Sequence, residues 1–426
     1  MKFIKNYDKL ATNDNRKLVL DLIETAYTAI QPTHVFEHNF SITNNVLKIF
    51  DKTFDLSNFD GIFLLGFGKG SAGNCKILEE KLGDRIVAGY DIDVVEDEHF
   101  QKVHFTKGTH PLPSEQNIAF TKHAIEHLER SGKKDLIIIV TCGGGSVLFE
   151  SPKKLTLDEI TTVNKVLLES GANIAEMNAI RKHLSRVKGG GLAKILYPAT
   201  IVNLIFSDVP GNDLSVIASG PLVADHSTMD DVKKIIIKYE LDKKVHLSLD
   251  AFEETPTDHK YFKNVHNILM LSNHTALNAM EKFAKEKGLQ VHVMTDRLQG
   301  DARKLGEQLI KETPSGHLLL AGGESTIKIT GKGKGGRNQA LILNALSHIK
   351  PGTVLAAVGS DGWDFYELAG ALADEDTLQK MNEMHLDAEP FLKDDNSYEF
   401  WTAIGDGIRT GHLDSNVSDL YIVLKK

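Results

Sequence analysis

Five short, largely apolar runs each end on a polar turn rich in glycine, and this arrangement admits few architectures. Ile62-Phe63-Leu64-Leu65 runs into Gly66-Phe67-Gly68-Lys69-Gly70, and Leu136 to Val140 runs into Thr141-Cys142-Gly143-Gly144-Gly145-Ser146. Ile201 to Phe206 precedes Ser207-Asp208-Val209-Pro210-Gly211, Leu318-Leu319-Leu320 precedes Ala321-Gly322-Gly323-Glu324, and Val354 to Val358 precedes Gly359-Ser360-Asp361-Gly362. Continuous apolar runs of this length are strands covered on both faces. Between them, Ile118 to Glu129, Leu157 to Ser170 and Ala276 to Lys287 carry apolar residues at helical spacing. Alternating strand, glycine turn and helix is the grammar of an α/β protein with a parallel sheet, whose ligands gather at the carboxyl ends of the strands.

The polar stretch from Leu241 to Lys263 separates two such series, giving expected domains at 1–245 and 246–426, with strand signals resuming at Val265 to Leu271. The 35 glycines against 11 prolines, with no three-residue period, exclude collagen-like structure. A net charge of −9 offers no global field for nucleic acid or an anionic membrane. Two cysteines, Cys75 and Cys142, build no disulfide framework. No apolar run approaches the ~20 residues that span a bilayer, so a cytoplasmic location is the expectation, with no membrane or nucleic-acid partner.

The turns hold the chemistry. Gly68-Lys69-Gly70-Ser71-Ala72-Gly73 matches GxGxxG, with Asp91 and Asp93 beyond it, the outline of a dinucleotide fingerprint. Lys69, a cation among anion-seeking amides, suits phosphate or carboxylate equally well. Gly143, Gly144, Gly145 and Ser146 offer successive amides for an anion. If helical to Lys188, the stretch from Asn178 places Arg181, Ser185 and Lys188 on one face to grip a carboxylate or phosphate. Asp208, at a strand end, can hold Mg²⁺ or a substrate hydroxyl, and Glu324 and Asp361 are further magnesium candidates. Gly331 to Gln339 reads as a mobile anion-binding loop after a strand Thr326–Thr330, with Arg337 taking a phosphoryl group at a helix start. His110, in the rigid turn His110-Pro111-Leu112-Pro113, reads as a capping or packing residue.

Taken in order, these motifs resemble the type II glycerate 2-kinases with a C-terminal MOFRL domain. The resemblance rests on Gly66-Phe67-Gly68-Lys69, the His110 turn, Gly143 to Ser146, Asn178 to Ser185 with Lys188-Gly189-Gly190, Ser207 to Gly211 and Ala218-Ser219-Gly220-Pro221. It continues through Gly322-Gly323-Glu324-Ser325-Thr326, Gly335-Gly336-Arg337-Asn338-Gln339 and Asn416-Val417-Ser418-Asp419-Leu420. It implies a doubly wound Rossmann-like domain and a smaller α/β domain, containing the MOFRL region at about 315–424, on either side of a cleft. It implies ATP and Mg²⁺ as cofactors and transfer of a phosphoryl group to the 2-hydroxyl of D-glycerate or a related sugar acid. Lys69, Arg337 and Asp208 become catalytic candidates. Gly68, Gly143 to Ser146, Arg181, Ser185 and Lys188 become substrate or phosphate ligands, and Gly322, Gly323, Glu324, Gly335, Gly336 and Asn338 nucleotide ligands. Some family members have been described as hydroxypyruvate reductases, so an NAD(P)H-dependent reductase is the alternative enzyme. Ala340 and Gly411 to Ser415 depart from the family pattern, which keeps a non-catalytic binding homologue as a third reading. Homodimerisation is left open.

Overall fold

The computed structural model describes residues 2–96, 98–245 and 247–426. The chain divides into two compact units. The first comprises Phe36–Ser207 and Asn212–Met270; the second comprises the chain up to Val35, Asp208–Gly211 and Leu271–Lys426. This differs from a single cut at 245/246. The N-terminal helices count with the C-terminal residues, and the boundary on the far side falls about 25 residues later than expected. Met1 and His246, the first residues of the two expected domains, lie outside the described residues.

The first unit opens on an antiparallel meander, β1 (Phe40–Thr43), β2 (Val46–Ile49) and β3 (Lys52–Asp55). Its main sheet contains β4 (Gly61–Phe67), β5 (Ile86–Asp93), β6 (Val103–Lys107), β7 (Asp135–Thr141), β8 (Thr200–Phe206) and β9 (Val265–Leu271). Their order is β6-β5-β4-β7-β8-β9, and the ladders from β6 through β8 are parallel. Val265–Leu271, read from sequence as the start of the second domain, is therefore the edge strand of this sheet. Both faces are covered, so β7 and β8 are buried almost end to end. The polar exceptions close on one another: Thr141 Oγ1 donates to Asn203 at 2.7 Å, and Asn203 Nδ2 donates to Asn267 at 2.8 Å. A buried polar group without such a partner would cost about 1–3 kcal/mol.

The second unit holds β10 (Gln290–Leu298), β11 (His317–Gly323), β12 (Thr353–Gly359), β13 (Gly370–Ala373), β14 (Gly407–Ile408) and β15 (Asp419–Lys425), in the order β10-β11-β15-β12-β13-β14. Only β10 and β11 pair in parallel among these ladders. The last strand runs antiparallel between β11 and β12, so Asp419 faces Gly323 on one side and Gly359 on the other. That register sets Glu324, Ser360, Asp361 and Asp419 along one sheet edge. Thr326 to Thr330, expected as a strand, forms only a single bridge from Thr326 to Asp301. Among the described residues no helix is long and apolar enough to cross a membrane.

Candidate active site

In the first unit the turns after β4 and β7 interlock. Cys142 N donates to Phe67 O at 3.0 Å, Lys69 N to Gly143 O at 2.8 Å, and Gly68 N to Ile92 O at 3.2 Å. The backbone of Lys69 is thereby fixed, while its side chain is exposed and makes no ion pair among the described residues. Gly144 takes φ +76°, a left-handed conformation, and a Cβ there would lie 3.1 Å from His110 Cδ2, 3.3 Å from His110 Nε2 and 3.5 Å from Lys69 Cγ. A side chain at 144 would fill the space that these two residues line. Gly145 packs the turn onto Phe67 and Ala218. The amides of Gly143 and Gly144 have no acceptor among the described residues, and no side chain caps the turn at Gly145–Leu148. His110, expected from sequence to be a capping or packing residue, lays its half-buried ring against Gly144.

The dinucleotide fingerprint is occupied by the protein itself. At the start of helix Ser71–Leu82, Gly70 N and Ala72 N donate to Asp93 Oδ2 at 2.9 and 3.1 Å. A carboxylate here satisfies the orphan amides and the helix dipole together, which is the place a pyrophosphate would need. Asp91 is fully buried against Gly66 and Cys75, and burial pushes its carboxyl up to about 7. Neither acid is placed to hold a ribose.

The expected face of Arg181, Ser185 and Lys188 does not form. Helix Ile174–Leu184 ends before Ser185, whose φ of −108° and ψ of 142° are extended. Ser185 bridges to Pro152, and Lys188 is buried on Glu150, where burial pushes its ammonium down to about 7. The glycines that follow lock two loops, with Gly189 N donating to Ser219 O at 3.0 Å and Gly190 N to Gly220 O at 2.8 Å. Arg181 remains on the helix, its Nε donating to Asn164 at 2.6 Å. One turn earlier, buried Asn178 accepts from Ser219 Oγ at 3.1 Å, and Ala218 beside it touches Gly145. Asn178 Nδ2 is left without a partner.

In the second unit Arg337 Nε donates to Asp419 Oδ2 at 2.6 Å, Nη2 to Asp419 Oδ1 at 3.2 Å and Nη1 to Glu324 at 2.8 Å. Against the cost of burial, these carboxylates hold the guanidinium charged. Asn338 Nδ2 and the Tyr421 hydroxyl also donate to Asp419, at 2.9 and 3.1 Å. The helix that Arg337 opens is capped from within: Asn338 N and Gln339 N donate to Asp364 at 3.1 and 2.8 Å. Burial, with Asp419 nearby, pushes the Asp364 carboxyl up to about 8.

The loop before this helix is pinned rather than mobile. Thr330 N and Gly331 N donate to Asp395 at 2.6 and 2.8 Å, Lys332 N to Asp394 at 2.9 Å and Lys334 N to Asn396 at 3.0 Å. Gly322, Gly335 and Gly336 lie where a side chain would overlap Asn273, Ser397 and Asp364, so packing accounts for them. Gly323 belongs to β11. Ser418 joins the backbones of Asp208 and Ser360, its hydroxyl donating to Asp208 O at 2.6 Å and its carbonyl accepting from Ser360 N at 3.0 Å. Burial pushes the Asp361 carboxyl up. No group of three or more His, Cys, Asp or Glu able to hold a metal occurs among the described residues. The amide-binding roles of Asp93, Asp364 and Asp395 have no local sequence signal, because nothing nearby marks a carboxylate that reaches a glycine turn from elsewhere in the chain.

Open amides beside a lysine that makes no ion pair among the described residues, on an α/β sheet, form an arrangement chemically suited to small anions. Residues 18–252 match the family described as a domain of unknown function, DUF4147, and residues 317–419 match the MOFRL family. The glycerate 2-kinase of Pyrococcus horikoshii is 32% identical over 437 residues, covering 96% of this chain and 97% of that one. A crystal structure of glycerate kinase from Thermotoga maritima superposes with a TM-score of 0.86 at 31% identity, covering 96% of this chain and 99% of the other. A relative from Agrobacterium vitis with a provisional hydroxypyruvate reductase name is 36% identical over 341 residues, covering 76% of this chain and 77% of that protein. The chain belongs to the glycerate 2-kinase family.

Proposed function

We propose that this chain transfers the γ-phosphoryl group of ATP to the 2-hydroxyl of D-glycerate or a related small 2-hydroxy acid. One observation carries the reading. Three amide clusters, at Gly70–Ala72, at Thr330–Lys334 and at Asn338–Gln339, are filled by the chain's own Asp93, Asp394 to Asn396, and Asp364. The turn at Gly143–Ser146 keeps open amides and stands beside Lys69.

In phosphoryl transfer the protein mainly positions the reactants and neutralises charge on the moving group. Lys69 and the amides of Gly143 and Gly144 are assigned to the transferring phosphoryl, and Arg181, with only its Nε engaged among the described residues, to the substrate carboxylate. Arg337, held charged by Asp419 and Glu324, is assigned to the phosphate chain of ATP with Asn338 beside it. Mg²⁺ usually keeps several waters and takes only one or two protein carboxylates besides phosphates. Asp361 and Asp208 suit that demand better than Glu324, which is spent on Arg337. Bound there, the ion would neutralise phosphate charge. Ser185 and Lys188 are left as structural residues.

The test is a panel of three- to six-carbon 2-hydroxy acids with Mg-ATP, read as ADP release, alongside hydroxypyruvate with NADH. ADP release with D-glycerate or a close analogue is expected, without NADH oxidation; the opposite pattern would favour the reductase, against which the Asp93-filled helix start argues. Lys69→Met is expected to lower kcat about 100-fold or more, the scale of losing one charge-stabilising donor, with the fold intact by circular dichroism.

A further inference from the structure

We propose that His110 is the catalytic base of this site, its Nε2 accepting the proton of the substrate hydroxyl as that oxygen attacks the phosphoryl group. The inference rests on the kinase reading above and adds a residue to it. A hydroxyl oxygen that bonds phosphorus must shed its proton, and the acceptor has to stand within one hydrogen bond of it. In the first unit the atoms nearest to a Cβ built on Gly144 belong to two side chains, His110 and Lys69. Of these two, Lys69 is a donor only, whereas a neutral imidazole can receive a proton.

Its setting fits the task. The ring is half-buried, makes no hydrogen bond among the described residues, and lies with Cδ2 and Nε2 over the Gly144 backbone. Burial, and then the charge of Lys69, push its pKa down, so the free ring is neutral and holds an unshared pair. Lys69 is the charged group that faces it. When an anionic phosphoryl group or carboxylate settles on Lys69, the repulsion that disfavours the imidazolium is offset, so the base gains strength when its substrate is in place. The step balances. The hydroxyl oxygen forms a bond to γ-phosphorus, the bond from γ-phosphorus to the bridging oxygen breaks, ADP leaves with that electron pair, and the proton resides on Nε2 until water removes it.

The experiment pairs steady-state kinetics from pH 5 to 9 with histidine-side-chain NMR, on the full chain and on His110→Gln. Glutamine keeps a polar group of similar reach and cannot act as a base. The expected result is a fall in kcat of about 100-fold or more, a KM for D-glycerate within a few-fold of the parent, and loss of the acid limb of the rate profile. One histidine resonance, absent from His110→Gln, should titrate at higher pH once D-glycerate is added. Retention of parental kcat with an unchanged acid limb overturns the assignment, as does a loss confined to KM, which would make the ring a binding surface only. If the parent releases no ADP with any acid of the panel, the kinase reading fails and this proposal falls with it. A His110→Gln protein that melts far below the parent would be replaced by His110→Asn, read against the same criteria.

Discussion

At the scale of single residues, the first unit contains an acid that its surroundings keep neutral. Asp91 lies in the parallel strand β5 opposite Gly66, against the Cys75 thiol, with no close hydrogen-bond partner for either oxygen among the described residues. Burial outweighs every other influence and carries its carboxyl from the usual 3.8 to about 7. Because the folded-state value is raised, the stability contributed by the neutral form is complete below about pH 4, declines between pH 4 and 7, and is absent above. Asp91→Asn has the same shape and no charge to acquire. Its melting temperature should gain on the parent as pH rises through that window and then level off. The full span should be on the order of a few kcal/mol. A difference in melting temperature that stays flat from pH 4 to 8 would show that Asp91 is not held neutral. Nothing near Asp91 in the sequence distinguishes it from Asp93 two residues on, which accepts from the amides of a helix start.

The elements repeat one device, a glycine turn whose amides are satisfied by a carboxylate supplied from a distant stretch. Thr330 to Lys334 shows it most fully. Against its burial, the amides of Thr330 and Gly331 and the guanidinium of Arg303 pull the Asp395 carboxyl down to about 2. A lowered folded-state value means that the tether is intact above about pH 4 and is lost as pH falls towards 2. Asp395→Asn, which replaces one acceptor oxygen by a donor, should speed hydrogen exchange at Thr330 to Lys334 by about tenfold or more, each tenfold being ~1.4 kcal/mol of local opening. Exchange no faster than in the parent would mean that other contacts hold the loop. The same device explains what the sequence disclosed and what it hid. Apolar runs such as Leu136 to Val140 announce buried strands, and glycines mark their ends. Whether a turn is open to a ligand depends on residues 21 to 65 positions away, as with Asp93 and Asp395. Lys69 and the Gly143 turn stood out from local pattern alone; the misplaced face of Arg181, Ser185 and Lys188 came from extending a helix past Leu184, where the chain turns to meet Pro152.

For the whole molecule, the division that local pattern could not supply is the allegiance of the first 35 residues. One of its ties is Arg16, which is wholly buried in the second unit and whose partners lie 358 and 390 positions along the chain. Its guanidinium donates to Asp374 at 2.6 Å and to Asp406 through both terminal nitrogens at 2.9 Å, with Thr377 completing the array and Lys380 joining Asp406 at 2.6 Å. A buried network of this kind contributes little net stability compared with an apolar replacement of the whole, but removing one member leaves uncompensated charge at a cost of about 3–5 kcal/mol. Arg16→Met removes the cation that joins Asp374 to Asp406. Both tryptophans of the chain, Trp363 and the fully buried Trp401, belong to the second unit, so intrinsic fluorescence reports on that unit alone. In urea the fluorescence midpoint of Arg16→Met should fall by an amount equivalent to about 3 kcal/mol or more. The double variant Arg16→Met with Asp406→Asn should recover part of the loss, because it withdraws one of the stranded charges. A midpoint unchanged in the single variant would mean that the N-terminal helices are not tied to the second unit through this arginine.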